Sequence, residues 1–194
     1  MLGSFLAALE TRGLLETSLM VVASDHGEAL LGDHGFFFSH ANYATEDQLR
    51  TPLVIAHPGG RGGKRRTPTS NLDIAPTARA LLGLPPDPES QDGIDLLEPV
   101  ADRFVLAQFR DQRMLRRGAI KLRIDEPGGK QQLFDLSVDP DERLPLAPAS
   151  PELLREFRDE MARHQHLPRA GRSINRFRMS DEERRELEAL GYVQ

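Results

Sequence analysis

Leu19-Met20-Val21-Val22-Ala23-Ser24-Asp25-His26-Gly27-Glu28 is an apolar, β-branched run that ends in Asp-His and then turns at glycine. Gly32-Asp33-His34-Gly35 and Ser39-His40-Ala41-Asn42 follow, so three of the six histidines cluster behind one strand. A strand that delivers polar side chains where it ends is how an open α/β sheet presents ligands at its carboxyl edge. Asp25 offers a hard oxygen donor and His26 a nitrogen, a pair that suits Zn or Mn better than Ca or Mg. Gly27 lets the chain leave without a side chain in the way. His40 can meet an anion as imidazolium, or protonate a leaving oxygen near neutral pH. Asn42 can donate to the same anion. On its own, Asp-His-Gly is commoner as a turn or helix cap than as a ligand pair; His34 reads as a loop histidine, and Glu28 and Asp33 as solvated.

Outward from this stretch, the chain alternates helix and strand. Leu2, Phe5, Leu6 and Leu9 recur at helical spacing, with Gly13 as a stop. Ser18 to Ser24 reads as a buried strand, and the polar loop then runs to about Arg50. Leu53 to His57 is a second strand. Ser70 to Gly83 reads as a capped helix, with Asp73 near its start and Pro76 in its first turn. After Pro85-Pro86-Asp87-Pro88 the texture changes. Phe104 to Phe109, Met114 to Arg117, Ala119 to Ile124 and Gln131 to Leu136 are short β runs, with Gly128-Gly129 as a hairpin turn. Leu153, Leu154, Phe157 and Met161 mark an amphipathic helix. A last short helix is expected from Ser180, with Glu183 as capping-box partner and Gly191 at its end. The implied division is 1–98 as an α/β part, 99–166 as a small antiparallel sheet with its helix, and 167–194 as an exposed tail.

Composition narrows the classes. The 194 residues carry a formal net charge of −5, with basic residues interleaved among acidic ones, so no nucleic-acid partner is expected. Arg61, Lys64, Arg65 and Arg66 form one basic cluster in a glycine-rich turn, read as a solvated loop. The absence of cysteine excludes disulfides, thiolate metal sites and a cysteine nucleophile in this chain, and it says nothing of compartment. No window approaches the roughly 20 apolar residues of a membrane span. His57 reads as structural, and His164 and His166 as cations near a helix end.

The order of motifs resembles the C-terminal part of the sulfatase family, in the alkaline phosphatase superfamily. Leu9-Glu10-Thr11-Arg12-Gly13-Leu14-Leu15 is similar to the helix before the family's metal loop. Ser24-Asp25-His26-Gly27-Glu28 resembles its metal signature. Gln48-Leu49-Arg50-Thr51-Pro52-Leu53-Val54-Ile55 resembles a strand entry, and Asp73-Ile74-Ala75-Pro76-Thr77 the Asp-x-x-Pro-Thr helix start. Leu133-Phe134-Asp135-Leu136 and Asp139-Pro140-Asp141-Glu142 resemble its Leu-Tyr-Asp-Leu and Asp-Pro-x-Glu signatures. Leu190-Gly191-Tyr192-Val193 is similar to a tail seen in bacterial members.

The resemblance implies a partial alkaline-phosphatase-like α/β sandwich sheet with flanking helices, followed by a small antiparallel C-terminal sheet packed with a helix. It implies Asp25 and His26 as divalent-metal ligands, usually for calcium, and His40 at the sulfate or its leaving oxygen, with Asn42 beside it. The implied activity is metal-dependent sulfuric ester hydrolysis, on a sulfate-ester small molecule or glycan. Neither Cys-x-Pro-x-Arg nor Ser-x-Pro-x-Arg, the formylglycine motif, occurs here. The N-terminal Asp-Asp ligands have no counterpart either. Both are expected in a half of the fold before Met1, and the chain by itself is expected to be inactive or nearly so. Two other readings stay open: a phosphodiesterase, phosphonate monoester hydrolase or phosphoethanolamine-transferase relative, and a non-catalytic, truncated or degenerate anion-binding domain.

Overall fold

The structure is a computed structural model that describes residues 1–30, 44–60, 62–87, 92–100, 102–109, 111–125, 128–146, 151–164 and Arg185. The expected C-terminal helix from Ser180, most of the 167–194 tail, His34, His40 and Asn42 lie outside the described residues.

Two antiparallel sheets carry the architecture. Helix α1 (Leu2–Thr11) precedes strand β1 (Met20–Ala23), the short helix α2 (Glu46–Leu49) and strand β2 (Leu53–Ala56). β1 pairs with β2 antiparallel, with Ala23 opposite Leu53. The strand ends at Ala23 and Leu53 therefore lie side by side, which places Ser24–His26 and Arg50–Thr51 at one end of this sheet. Gly13 adopts φ 66° just after α1, as expected of a helix stop. The apolar face of α1 is only partly covered: Leu2 and Phe5 are exposed, Leu6 and Leu9 are half-buried, and the helix has no buried residue.

Next comes a 3-10 turn (Asn71–Asp73) that runs into helix α3 (Ile74–Leu81). Ser70 and Asp73 form a reciprocal capping box, the Ser70 side chain taking a backbone N–H while Asp73 accepts from the Ser70 amide at 2.8 Å. Pro76 occupies the first turn of α3, where its missing N–H leaves no intrahelical bond unmade. Gly83 ends the helix with φ 66°.

The second sheet is a meander of strands β3 (Phe104–Phe109), β4 (Gln112–Arg117), β5 (Ile120–Asp125) and β6 (Lys130–Asp135), in spatial order β3-β4-β5-β6. These are the four expected runs, with β4 starting two residues earlier than its apolar pattern. Gly129, at φ 65°, makes the β5–β6 turn and donates to the Asp125 carbonyl at 2.7 Å. The register aligns Leu106, Leu115, Leu122 and Leu133 across all four strands. Helix α4 (Pro151–Arg163) lays Phe157 and Met161 on this ladder, and Leu153 and Leu154 flank it. Phe157 meets Phe104 edge to face at 5.0 Å between ring centres. Among the described residues no helix is long and apolar enough to cross a membrane.

Side chains alternate across a strand, so the sheet has a second face. It carries Met114, Arg116, Lys121, Arg123 and Phe134, and it is not left to solvent: Lys121 and Phe134 are fully buried. What covers the charged part is the segment around α2 together with Glu142. This contact brings the C-terminal sheet to the polar loop.

Candidate functional site

The loop after β1 is held by short-range hydrogen bonds. The Ser24 hydroxyl donates to the His26 carbonyl at 2.7 Å, and the His26 amide donates to Asp25 Oδ1 at 3.0 Å. The Asn71 side chain donates to the Ser24 carbonyl at 2.9 Å, tying the loop to the start of the α3 segment. The Gly27 amide donates to the Gln48 carbonyl at 2.7 Å, tying it to α2. A Cβ added to Gly27 would lie 2.1 Å from the Asp47 carbonyl oxygen. Glycine is required here by close approach of two backbones, a more specific reason than turn flexibility.

His26 Nδ1 lies 2.7 Å from the Gly27 carbonyl oxygen. An oxygen without a proton can only accept, so Nδ1 carries the hydrogen and Nε2 carries the lone pair of the neutral ring. Nε2 is 3.8 Å from Asp25 Oδ2. Orientation of a histidine by a carbonyl on its far nitrogen is a common feature of metal-ligating imidazoles. The Asp25 side chain is 87% exposed and that of His26 47%, so both donors are open to solvent. The donor chemistry fits a divalent cation, but only from one side. Among the described residues no group of three or more His, Cys, Asp or Glu side chains converges.

Asp25 and His26 line a cleft of about 720 Å³ between the two sheets. Gln48, Arg50, Arg66 and Asn71 contribute from the first sheet's side, and Gln108 and Arg116 from the other. Arg66 belongs to the basic cluster read above as a solvated loop; it is exposed, and it also borders the cleft. Arg65 of the same cluster donates to the Leu96 and Glu98 carbonyls, a structural tie across the loop.

Three motif residues turn out to be supports. Asp73 is fully buried, and besides capping its own turn it accepts from the Ile94 amide at 3.0 Å and from Arg103. Thr77 donates to the Asp73 carbonyl at 2.7 Å and accepts from the Leu96 amide at 2.9 Å. The Asp-x-x-Pro-Thr pattern is thus a clamp on residues 92–97. Glu142 is buried at φ 54° and accepts from Lys121 Nζ and from the Glu46 amide, both at 2.7 Å.

Glu46, Gln112 and Lys121 escaped the sequence reading. Lys121 left one signal, a cation inside the apolar run Ala119 to Ile124. Gln112 and Glu46 left none, because each acts across more than sixty residues of chain: Gln112 Oε1 accepts from the Ala44 amide at 2.6 Å, and Arg116 pairs with Glu46.

Comparison with solved structures shows the fold. The fold matches a 2-O GAG sulfatase (TM-score 0.71, 23% identity) over 84% of this chain and 39% of that one. It matches the phosphonate monoester hydrolase from Silicibacter pomeroyi (TM-score 0.70, 22% identity) over 84% of this chain and 37% of that one. The fold is alkaline-phosphatase-like, as the motif order implied. Residues 1–84 match the Sulfatase family model. The choline-sulfatase of Rhizobium meliloti (strain 1021) is 33% identical over 179 residues, covering 84% of this chain and 34% of that protein. Residues 1–84 thus form a sulfatase-family domain, and the similarity to sulfatases extends over most of the chain. The chain spans about a third of the length of the curated relatives it matches.

Proposed function

We propose that this chain is the C-terminal part of a metal-dependent sulfuric ester hydrolase, and that it supplies one edge of that enzyme's site. The reaction is hydrolysis of R–O–SO₃⁻ by water to the alcohol and sulfate, with release of a proton. The observation that carries this reading is the Asp25–His26 pair lining the cleft, with His26 Nδ1 against the Gly27 carbonyl, which leaves Nε2 as the acceptor in the neutral tautomer. Asp25 and His26 would hold the cation, calcium by family resemblance and Mn or Zn by donor type. When bound there, the cation would offset charge on the sulfuryl oxygens.

The chain's own residues would do the rest of this edge's work. Asn71 and Gln48 hold the Ser24–Gly27 turn from two sides, and Arg50 and Arg66 give the cleft positive charge toward an anionic ester. His40, and Asn42 beside it, are assigned by motif order to the leaving oxygen and the sulfate. His40 as imidazolium would give its proton to the departing alkoxide. The substrate would be a sulfated small molecule or glycan.

With no cysteine and no formylglycine motif in residues 1–194, the chain has no activated nucleophile of its own, so alone it is inactive or nearly so. Calcium titration of residues 1–194 by calorimetry, with Asp25→Ala as control, tests the cation edge. Turnover of an aryl sulfate by the purified chain, abolished by Asp25→Ala, would overturn the assignment of the nucleophile elsewhere. No calcium binding with no turnover would favour the non-catalytic reading.

A phosphorus-ester substrate is the second reading, supported by the fold shared with the phosphonate monoester hydrolase. The match of residues 1–84 and the choline-sulfatase relationship favour sulfate. Assay of sulfate and phosphonate esters side by side on a longer protein containing this chain separates the two.

A further inference from the structure

The polar loop is held from the C-terminal sheet. On β5, Lys121 Nζ is fully buried and lies 2.7 Å from Glu142 Oε1 and 3.2 Å from Glu46 Oε1. Arg116 on β4 pairs with the other oxygen of Glu46, and Arg123 approaches Glu142 Oε2 at 3.4 Å. Glu142 Oε1 also accepts from the Glu46 amide, one of the N–H groups that a helix start leaves unmade. A second strut runs parallel. Gln112 on β4 accepts from the Ala44 amide at 2.6 Å and is itself fixed by donating to Asp125 Oδ1 at 2.8 Å. Two anchor points of the 44–46 segment are therefore set from the second sheet's side: the Ala44 amide by Gln112 of β4, and the Glu46 amide by Glu142, which lies after β6 and is itself held by Lys121 of β5.

From there the connection to the loop is backbone to backbone. α2 places the Gln48 carbonyl 2.7 Å from the Gly27 amide and the Asp47 carbonyl against the Gly27 Cα. Asp25 and His26 are the two residues before that glycine. A buried ion cluster of this kind is weak evidence for net stability, since desolvation offsets much of the attraction. It is good evidence for a defined geometry, because each partner has few alternative places for its charge. Glu142 keeps this position at a positive φ that a non-glycine residue adopts at a cost.

We infer that Glu142 and Gln112 are positioning residues, through which the C-terminal sheet sets the placement of the Asp25–His26 loop. The inference rests on the reading of Asp25 and His26 as cation ligands, though the coupling itself is read without a cation.

The test is amide hydrogen exchange on residues 1–194, followed by calcium titration of the same samples. In Glu142→Gln, exchange at Gly27 and across 44–49 should rise roughly tenfold or more, as expected when a buried donor loses a charged acceptor. Exchange in β4 and β5 should stay as in the unsubstituted chain, which a general loss of stability would not allow. Should Glu142→Gln fail to fold, the double variant Lys121→Met with Glu142→Met removes both buried charges at similar volume and still deprives the Glu46 amide of its acceptor. A folded variant with looser 44–49 and unchanged exchange at Gly27 overturns the positioning role. Calcium affinity should weaken in parallel. Altered exchange at Gly27 with no calcium binding by the unsubstituted chain would overturn the cation reading and leave the positioning role standing.

Discussion

The Gly27 amide and the Gln48 carbonyl meet at 2.7 Å, so the turn after Asp25-His26 is built against a four-residue helix from another part of the chain. Replacing Gly27 with alanine puts a methyl group 2.1 Å from the Asp47 carbonyl oxygen. Backbone, unlike a long side chain, cannot swing away. Gly27→Ala is expected to cost about 1–3 kcal/mol, the usual penalty for overpacking. Urea denaturation measures the cost, and exchange at 24–30 shows where it falls.

Asp73→Ala removes the buried acceptor of the Ser70 amide, the Ile94 amide and Arg103. The Arg103 side chain is only 19% exposed, so it loses its partner with little water to replace it. Removal of one member of a buried pair predicts a loss of about 3–5 kcal/mol. Asp73→Asn keeps an acceptor for one of the amides and should cost less. The comparison of the two midpoints in urea checks this order.

Phe157 is completely buried between α4 and the leucine ladder. Phe157→Ala should destabilise by about 3–5 kcal/mol, through lost transfer energy and the cavity left behind. Circular dichroism on heating should show the sheet and α4 melting at a lower temperature.

Glu156 is held below its ordinary value of 4.5, chiefly by the hydrogen bonds from Arg117. A carboxylate whose folded value is depressed contributes stability above the unfolded value and loses it as pH falls through the folded one. The α4 contact should therefore be unaffected at neutral pH and weaken in acid below 4.5. Because Glu156 is half exposed, the effect on stability is small and the titration itself is the better readout. In carboxyl NMR titrations, Arg117→Ala should return Glu156 toward its ordinary value.

Asp25→Ala and His26→Ala remove exposed side chains and should change stability by no more than about 0.5 kcal/mol. Calcium affinity should fall in both. A matched loss of affinity and folding in either variant would mean that these residues support the loop instead of facing a cation.

Much of this architecture follows from local pattern. The helices at Leu2, Ser70 and Leu153 and the four short strands are visible because apolar spacing, caps and glycines act within a few residues of one another. Asp25 and His26 are legible for the same reason: the strand, the donors and the glycine are contiguous. The Asp-Pro-Asp-Glu run shows in the sequence that Glu142 matters, but not to what.

What Glu142 touches was decided only when β5 and the 44–46 segment came together. Lys121 and Glu46 are far apart in the chain, and a buried charge has no local signature until its partner is placed beside it. The same holds for Gly27, which reads as a flexible turn residue and is in fact confined by the Asp47 carbonyl. Periodicity and turn chemistry are short-range and can be read along the chain. Desolvated ion pairs and backbone contacts depend on which surfaces exclude water from each other, and only the folded chain determines that.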